Sequence, residues 1–452
     1  MRSGSVIMET MWRSVVLLFA AVSGLLAQTT FHKDVEPIFQ SKCQQCHRPN
    51  DIAPFALLTY DDAATYADDI RLQVSNKVMP PWKPVPGIGS FRNSYALSDA
   101  ERQTILDWVD AGSPEGDPAD APAPVAANDS PWQLGQPDMI LNLPQYTPAT
   151  NRPDTYRCFS MPTSMLNDVY LNASQALPGA TQEVHHILIY MDDTGESLQY
   201  EGKDGQPGYN CFGSVGLESL SAGSYLGSWV PGSRVQRLDA GLGFLLRANS
   251  RVVVQVHYHP SGRPSADQTS LGFYLAPEGT VKHRMLAIPV VNTGFTIPAG
   301  DPAYPVTANL TIPSVLGKLS GNIIQVGPHM HLLGRQIQMD VVHQDQSVTP
   351  LVAIDNWDFN WQSMYTLTDP IPFVSGDRIR VSSVFDNSEG NPKNPNKPIV
   401  PVSWGEGTTD EMVVGYVGVI LDQEALSQLF LQKTHHATPG AVTRRPIRVP
   451  AR

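Results

Sequence analysis

Arg251-Val252-Val253-Val254-Gln255-Val256-His257-Tyr258-His259 reads as a single β-strand. Successive side chains of a strand point to opposite faces, so Val252, Val254 and Val256 line one face while Gln255, His257 and His259 line the other. The apolar face requires a second layer to cover it. The polar face carries two imidazoles that parity alone does not separate. Similar short runs recur between turn signals at Val184 to Met191, Ile323 to Val326, Gln336 to Val342, Arg378 to Phe385 and Met412 to Leu421. No helix-length periodic segment divides them, which favours antiparallel β-sandwiches over an α/β sheet.

The 452 residues are enough for two or three domains, and 39 Pro and 35 Gly with only 16% charged residues suit many turns and short strands. A formal net charge of −12 argues against nucleic acid as a partner, since phosphate binding needs a basic surface. Arg2 and Arg13 stand ahead of the apolar run Val15 to Ala27, which is too short to span a bilayer and suits a signal peptide. The expected organisation is a signal peptide at 1–27, a small all-α domain at 28–118 and a Pro/Ala-rich linker at 119–135. Two β-sandwich domains at 136–278 and 279–432 follow, then a basic tail at 433–452. No other segment is apolar and long enough to span a membrane, so a periplasmic or secreted protein is expected.

Cys43-Gln44-Gln45-Cys46-His47 is a haem-attachment run, in which both thiols bond to the haem vinyl groups and the imidazole becomes an axial ligand. Met79, in Val78-Met79-Pro80-Pro81-Trp82, is placed to supply the sixth ligand. The competing readings are a redox CxxC followed by His, and Met79 as a core side chain. A helix from Phe31 to Lys42 enters the site. Ser98-Asp99-Ala100-Glu101 opens another, on which Ile105, Leu106, Trp108 and Val109 form an apolar stripe. Residues 31–118 resemble a class I cytochrome c domain. Of four cysteines two are assigned to haem c, leaving Cys158 and Cys211 available for a disulfide in an oxidising compartment.

The remaining metal candidates are histidines and one thioether. His185 and His186 are neighbours on a strand and should diverge, so they can share a metal only at a strand end or bulge, or through different ring nitrogens. His329 and His331 form an i, i+2 pair expected on one strand face, with Met330 turned away. Imidazoles suit copper, zinc or iron, whereas a thioether such as that of Met412 favours Cu(I). Spacing does not show that Met412 joins His329 and His331. A histidine taken singly is ordinarily a surface or hydrogen-bonded residue, and His32, His283, His343, His435 and His436 are read that way.

The collective order carries more. Asp154-Thr155-Tyr156-Arg157-Cys158, Val184-His185-His186, Gln255-Val256-His257-Tyr258 and His329-Met330-His331-Leu332-Leu333-Gly334 follow one another along the chain. Asp358-Phe359-Asn360-Trp361-Gln362 and Thr408-Thr409-Asp410-Glu411-Met412 complete the series. From about Asp154 to Leu421 the chain resembles the copper type II, ascorbate-dependent monooxygenases, the family of peptidylglycine α-hydroxylating and dopamine β-monooxygenase. The resemblance implies two β-sandwich domains, each holding one copper across an open cleft. It assigns His185, His186 and His257 to an electron-transfer copper, and His329, His331 and Met412 to the copper where dioxygen and a small-molecule substrate meet. It also favours His257 over His259.

The expected function is therefore C–H hydroxylation by a dicopper monooxygenase. Electrons would come from an ascorbate-like reductant or redox protein, relayed by the fused haem. Some features depart from the family. Gly327 stands where its peptide-hydroxylating members carry a basic residue for a substrate carboxylate, and Val414 offers no amide, although Tyr416 is retained. The competing class is a haem and copper electron-transfer or copper-binding protein without oxygenase activity. A zinc hydrolase would lack an evident general base and leave Met412 unexplained.

Overall fold

The computed structural model describes residues 28–49, 51–92, 94–124, 130–151, 154–212, 215–259, 262, 265–314 and 319–422. The expected signal peptide at 1–27, part of the linker, and the tail with His435 and His436 lie outside the described residues. The chain divides into two compact units, residues 1–82 with 95–126, and residues 83–94 with 127–452.

In the first unit the expected Phe31 to Lys42 helix begins as a π-turn, Phe31–Val35, and continues as an α-helix, Glu36–Lys42. Pro37 has no N–H to give to the turn before it, and the Val35 amide reaches back to Thr30 O instead. The helix Asp99–Asp110 starts where expected, at a capping box. Glu101 N donates to Ser98 Oγ (3.2 Å) and Ser98 N to Glu101 Oε2 (2.7 Å). Thr59 and Asp62 form a second box at the helix Tyr60–Thr65, which leads into the helix Ala67–Ser75. Phe31, Phe39, Ile105 and Trp108 are almost fully buried at the centre of this unit.

The second unit is mainly antiparallel β. Its first sandwich packs one five-stranded sheet, ordered Tyr209–Asn210, Thr155–Pro162, Arg251–Tyr258, Val184–Asp192, Tyr225–Trp229, against another. The latter is ordered Met139–Asn142, Ser270–Leu275, Val169–Leu177, Leu242–Leu246, His283–Arg284. Val252, Val254 and Val256 meet Leu171, Leu246 and Phe273 between the layers, each burial stabilising by about 1.5–3 kcal/mol. The polar face of Arg251–Tyr258 is buried too. Gln255 lies under the Cys158–Cys211 disulfide and donates to Cys211 O, while Val253 packs with Tyr209, Val215 and Leu217.

The second sandwich pairs the sheet Leu286–Val291, Val414–Leu421, Ser320–His329, Tyr365–Val374 with the sheet Tyr304–Thr311, Arg378–Phe385, Gly334–Val342, Val348–Ile354. Gly415 lets the layers approach, since a Cβ there would lie 2.6 Å from Val381 Cγ2.

Segment boundaries differ from expectation at three places. His283–Arg284 pairs, in parallel, with Leu242 and Gly243, so the first sandwich runs past 278 to Arg284. Residues 131–135 pack on the first sandwich rather than bridging, with Pro131 O accepting from Gln175 Nε2 at 2.8 Å. Within 28–118, residues 83–94 belong to the β unit. Val85 N donates to Ala353 O (2.8 Å), Phe91 packs on Tyr365, and Arg92 pairs with Asp239.

Candidate metal centre

The strand Val184–Asp192 runs beside Arg251–Tyr258 with a register shift. Val184 faces Tyr258 and His186 faces His257, leaving His185 as an extra residue. That bulge is what allows consecutive histidines to turn toward one point. His185, His186 and His257 have ligand atoms all within 4.8 Å of one another. Their Nδ1 atoms converge: His185 to His186 at 3.2 Å and His186 to His257 at 3.4 Å. Nitrogens about 2.0–2.1 Å from one tetrahedral ion stand about 3.3 Å apart, so these edges fit a bound first-row cation. His257 Nε2 donates to Asp154 Oδ1 (2.8 Å), which leaves His257 Nδ1 bare. His259 is exposed and stands 3.4 Å from the same oxygen.

His329 ends the strand Ser320–His329, and His331 lies just beyond it in the turn. The pair therefore does not share a strand face as expected. The rings stand 5.2 Å apart and nearly perpendicular, while Met330 is fully buried on the other side. Both rings use Nδ1 inward, His329 toward Gln362 Oε1 (2.5 Å) and His331 toward Asp410 O (3.0 Å). Each Nε2 is thus left for a ligand role. Met412 is half-buried and tied to this pair through Glu411, whose Oε2 accepts from His331 N (2.9 Å) and Met412 N (3.2 Å). Glu411 Oε1 accepts from Leu333 N. Burial pushes the Glu411 carboxyl up to about 8 against the pull of those amides.

All five imidazoles are held neutral, the form that ligates metal. Burial pushes His185 and His331 down to about 3 and His329 to about 4, with neighbouring imidazoles adding to each. Burial also lowers His186 and His257, the latter against the pull of Asp154.

The two sets approach closely, where the family resemblance implies an open cleft. Phe359 stacks on His185 (4.5 Å, 19°) and meets His331 edge-on (5.7 Å, 78°). The segment before Met412 is fastened to the first sandwich. Asp154 accepts from Thr408 Oγ1 (2.8 Å) and Thr408 N (3.1 Å), and Tyr156, stacked on His257 at 4.1 Å, donates to Glu406 O. Burial opposes ionisation of Asp154, but the bonds from His257 and Thr408 hold its carboxyl well below the usual range.

In the helical unit Cys43 and Cys46 form no disulfide with each other, and burial pushes the Cys43 thiol up to about 12. His47 Nδ1 donates to Phe55 O (3.1 Å), leaving Nε2 for an axial ligand. Met79 is half-buried, its amide donating to Gln73 O (3.2 Å).

Asp154, Phe359, Gln362, Asp410 and Glu411 stand in the sequence only as members of longer motifs, with nothing local to mark their roles. Their roles come from partners up to 254 positions away. At Gly327 an added Cβ would meet only the flexible Met364 side chain.

No curated protein matches the chain. Among solved structures, a protein in complex with neoagarooctaose is similar at 12% identity over 65% of this chain and 35% of that one, with a TM-score of 0.16. This chain thus spans about a third of it. A structure of infectious bursal disease virus is similar at 10% identity over 69% of this chain and 85% of that one, also with a TM-score of 0.16. Likenesses so slight carry no argument. Residues 285–425, which hold His329, His331 and Met412, match the family model for the C-terminal domain of copper type II ascorbate-dependent monooxygenase, and this part of the chain is similar to that family of copper oxidoreductases.

Proposed function

We propose that this chain is an exported dicopper monooxygenase that hydroxylates a C–H bond of a small substrate with dioxygen. In this reading His185, His186 and His257 hold the copper that passes electrons. His329, His331 and Met412 hold the copper at which dioxygen is used, and a haem c on Cys43, Cys46, His47 and Met79 delivers reducing equivalents. The observation that carries the proposal is the approach of two histidine sets within one unit, both in contact with Phe359 and one of them inside the matched copper domain.

Copper at these residues would supply reversible one-electron chemistry and an open position for dioxygen. The protein supplies the rest. Asp154 fixes the His257 tautomer, while Gln362 and Asp410 O turn the Nε2 atoms of His329 and His331 outward. Phe359 places an apolar ring against both His185 and His331. Gly327 offers no basic side chain, so a peptide carboxylate is disfavoured as the substrate group. Joining a haem carrier to the same chain makes its encounter with the coppers intramolecular.

The test is turnover of a panel of uncharged small molecules under labelled dioxygen with ascorbate. One labelled oxygen atom in a product, absent with His329→Ala, supports the proposal. Reversible reduction and oxidation of the metals without incorporation would replace it with the electron-carrier reading.

A further inference from the structure

We infer that Phe359 is a positioning residue for the first histidine set, so that copper binding by His185, His186 and His257 depends on a side chain from the second sandwich. The inference rests on the copper reading above and deepens it. Four of the five imidazoles have their orientation explained by other contacts. His257 is bonded to Asp154, His329 to Gln362 and His331 to Asp410 O. His186 stands between two Nδ1 atoms, with Tyr156 edge-on at 6.1 Å.

His185 differs. Among the described residues its Nε2 forms no hydrogen bond, and its Nδ1 faces only His186. It is also the residue added by the bulge, so regular strand geometry does not dictate where it points. Its ring meets His257 edge-on at 4.9 Å, and its flat face is covered by Phe359, stacked 4.5 Å away and 19° from parallel. Phe359 is in turn held firmly. Gln362 Nε2 donates to its carbonyl (2.8 Å), Asn360 N and Trp361 N donate to Asp358, and Trp357 Nε1 donates to His331 O (3.1 Å). One short segment, Trp357 to Gln362, thus orients His329 through Gln362, touches His331 through Trp357 and Phe359, and orients His185 through Phe359. A stacked ring permits rotation in its own plane but opposes tilting, which is the motion that would turn His185 Nδ1 away from His186.

The test uses the full chain loaded with copper. Copper release to a competing chelator is followed with the Cu(II) electron paramagnetic resonance spectrum, and the first set is the phase that survives His329→Ala. Phe359→Leu, which keeps apolar volume and loses the flat face, is expected to weaken that phase about ten-fold, the lower end for groups that orient a metal ligand. It should also change the hyperfine splitting of that phase. Phe359→Tyr should restore both. If Phe359→Leu does not fold, Phe359→Met makes the same comparison. A leucine or methionine variant with the wild-type phase and spectrum, or a tyrosine variant displaced as far as leucine, would overturn the inference while leaving the copper reading standing. Absence of the phase from the wild-type chain would overturn both.

Discussion

Asp154→Asn isolates what one carboxylate contributes to both histidine sets. Asp154 accepts from His257 Nε2 (2.8 Å), Thr408 Oγ1 (2.8 Å) and Thr408 N (3.1 Å), and its side chain is only 8% exposed. Asparagine keeps one acceptor oxygen for His257 Nε2 and Thr408 Oγ1 but places an amide NH2 where the second oxygen stood, opposite Thr408 N. Hydrogen bonds to a charged group contribute about 1.5–3 kcal/mol and neutral ones about 1 kcal/mol, so the exchange should cost the apo-protein roughly 2–4 kcal/mol. Losing the group that orients a metal-ligating imidazole should also weaken copper at the first set by about 10–100-fold. The pH behaviour has a definite sign. The folded carboxyl is depressed, so its contribution is present above the unfolded value of about 3.9 and is lost as pH falls through the lower folded value. Wild type and variant should therefore differ by a constant amount around neutrality and converge in acid. Denaturant unfolding of the apo-proteins and chelator competition on the loaded ones measure the two effects. A stability loss below about 0.5 kcal/mol together with unchanged copper affinity would refute the reasoning, since that is the ordinary effect of a surface substitution.

Cys211→Ser opens a loop closed across 53 positions and should lower stability by up to about 4 kcal/mol, read by denaturant titration with and without reductant. Gly415→Ala places a Cβ 2.6 Å from Val381 Cγ2 and 2.7 Å from Met339 Cε, so over-packing should cost about 1–3 kcal/mol and lower the melting temperature. His32 is raised above 6.5, chiefly by its bond to Glu36 (2.8 Å) and also by Glu115, against burial. Its stabilisation of the helical unit is complete below 6.5 and is lost as pH rises through the folded value, so His32→Gln should flatten stability against pH on the alkaline side of neutrality in melts followed by helical dichroism.

The fold was legible where alternation was strong. The run at 251–259 gave the strand and its apolar face, but not that the opposite face is buried too, because its cover comes from the distant segment around Cys211. Tyr365–Val374 escaped notice through its two prolines, which an edge strand tolerates and a central one does not. The site divides in the same way. Candidate ligand types and their order stand in the sequence, and parity left His185 and His186 a strand end, a bulge or different ring nitrogens, of which the structure has the bulge. Which nitrogen each ring offers does not stand there, because Asp154, Gln362 and Asp410 decide it from far along the chain. The strap 83–94 lay hidden within a segment read as helical, since its partners Ala353, Tyr365 and Asp239 are remote in sequence.

The central claim is that one chain holds two coppers and one haem iron. Elemental mass spectrometry on protein exported from a host competent in haem attachment and then loaded with copper tests it most directly. Two coppers and one iron per chain are predicted, falling to about one copper when His329 and Met412 are replaced together or when His185 and His186 are. Iron without stoichiometric copper, or copper unaffected by either pair of replacements, would contradict it.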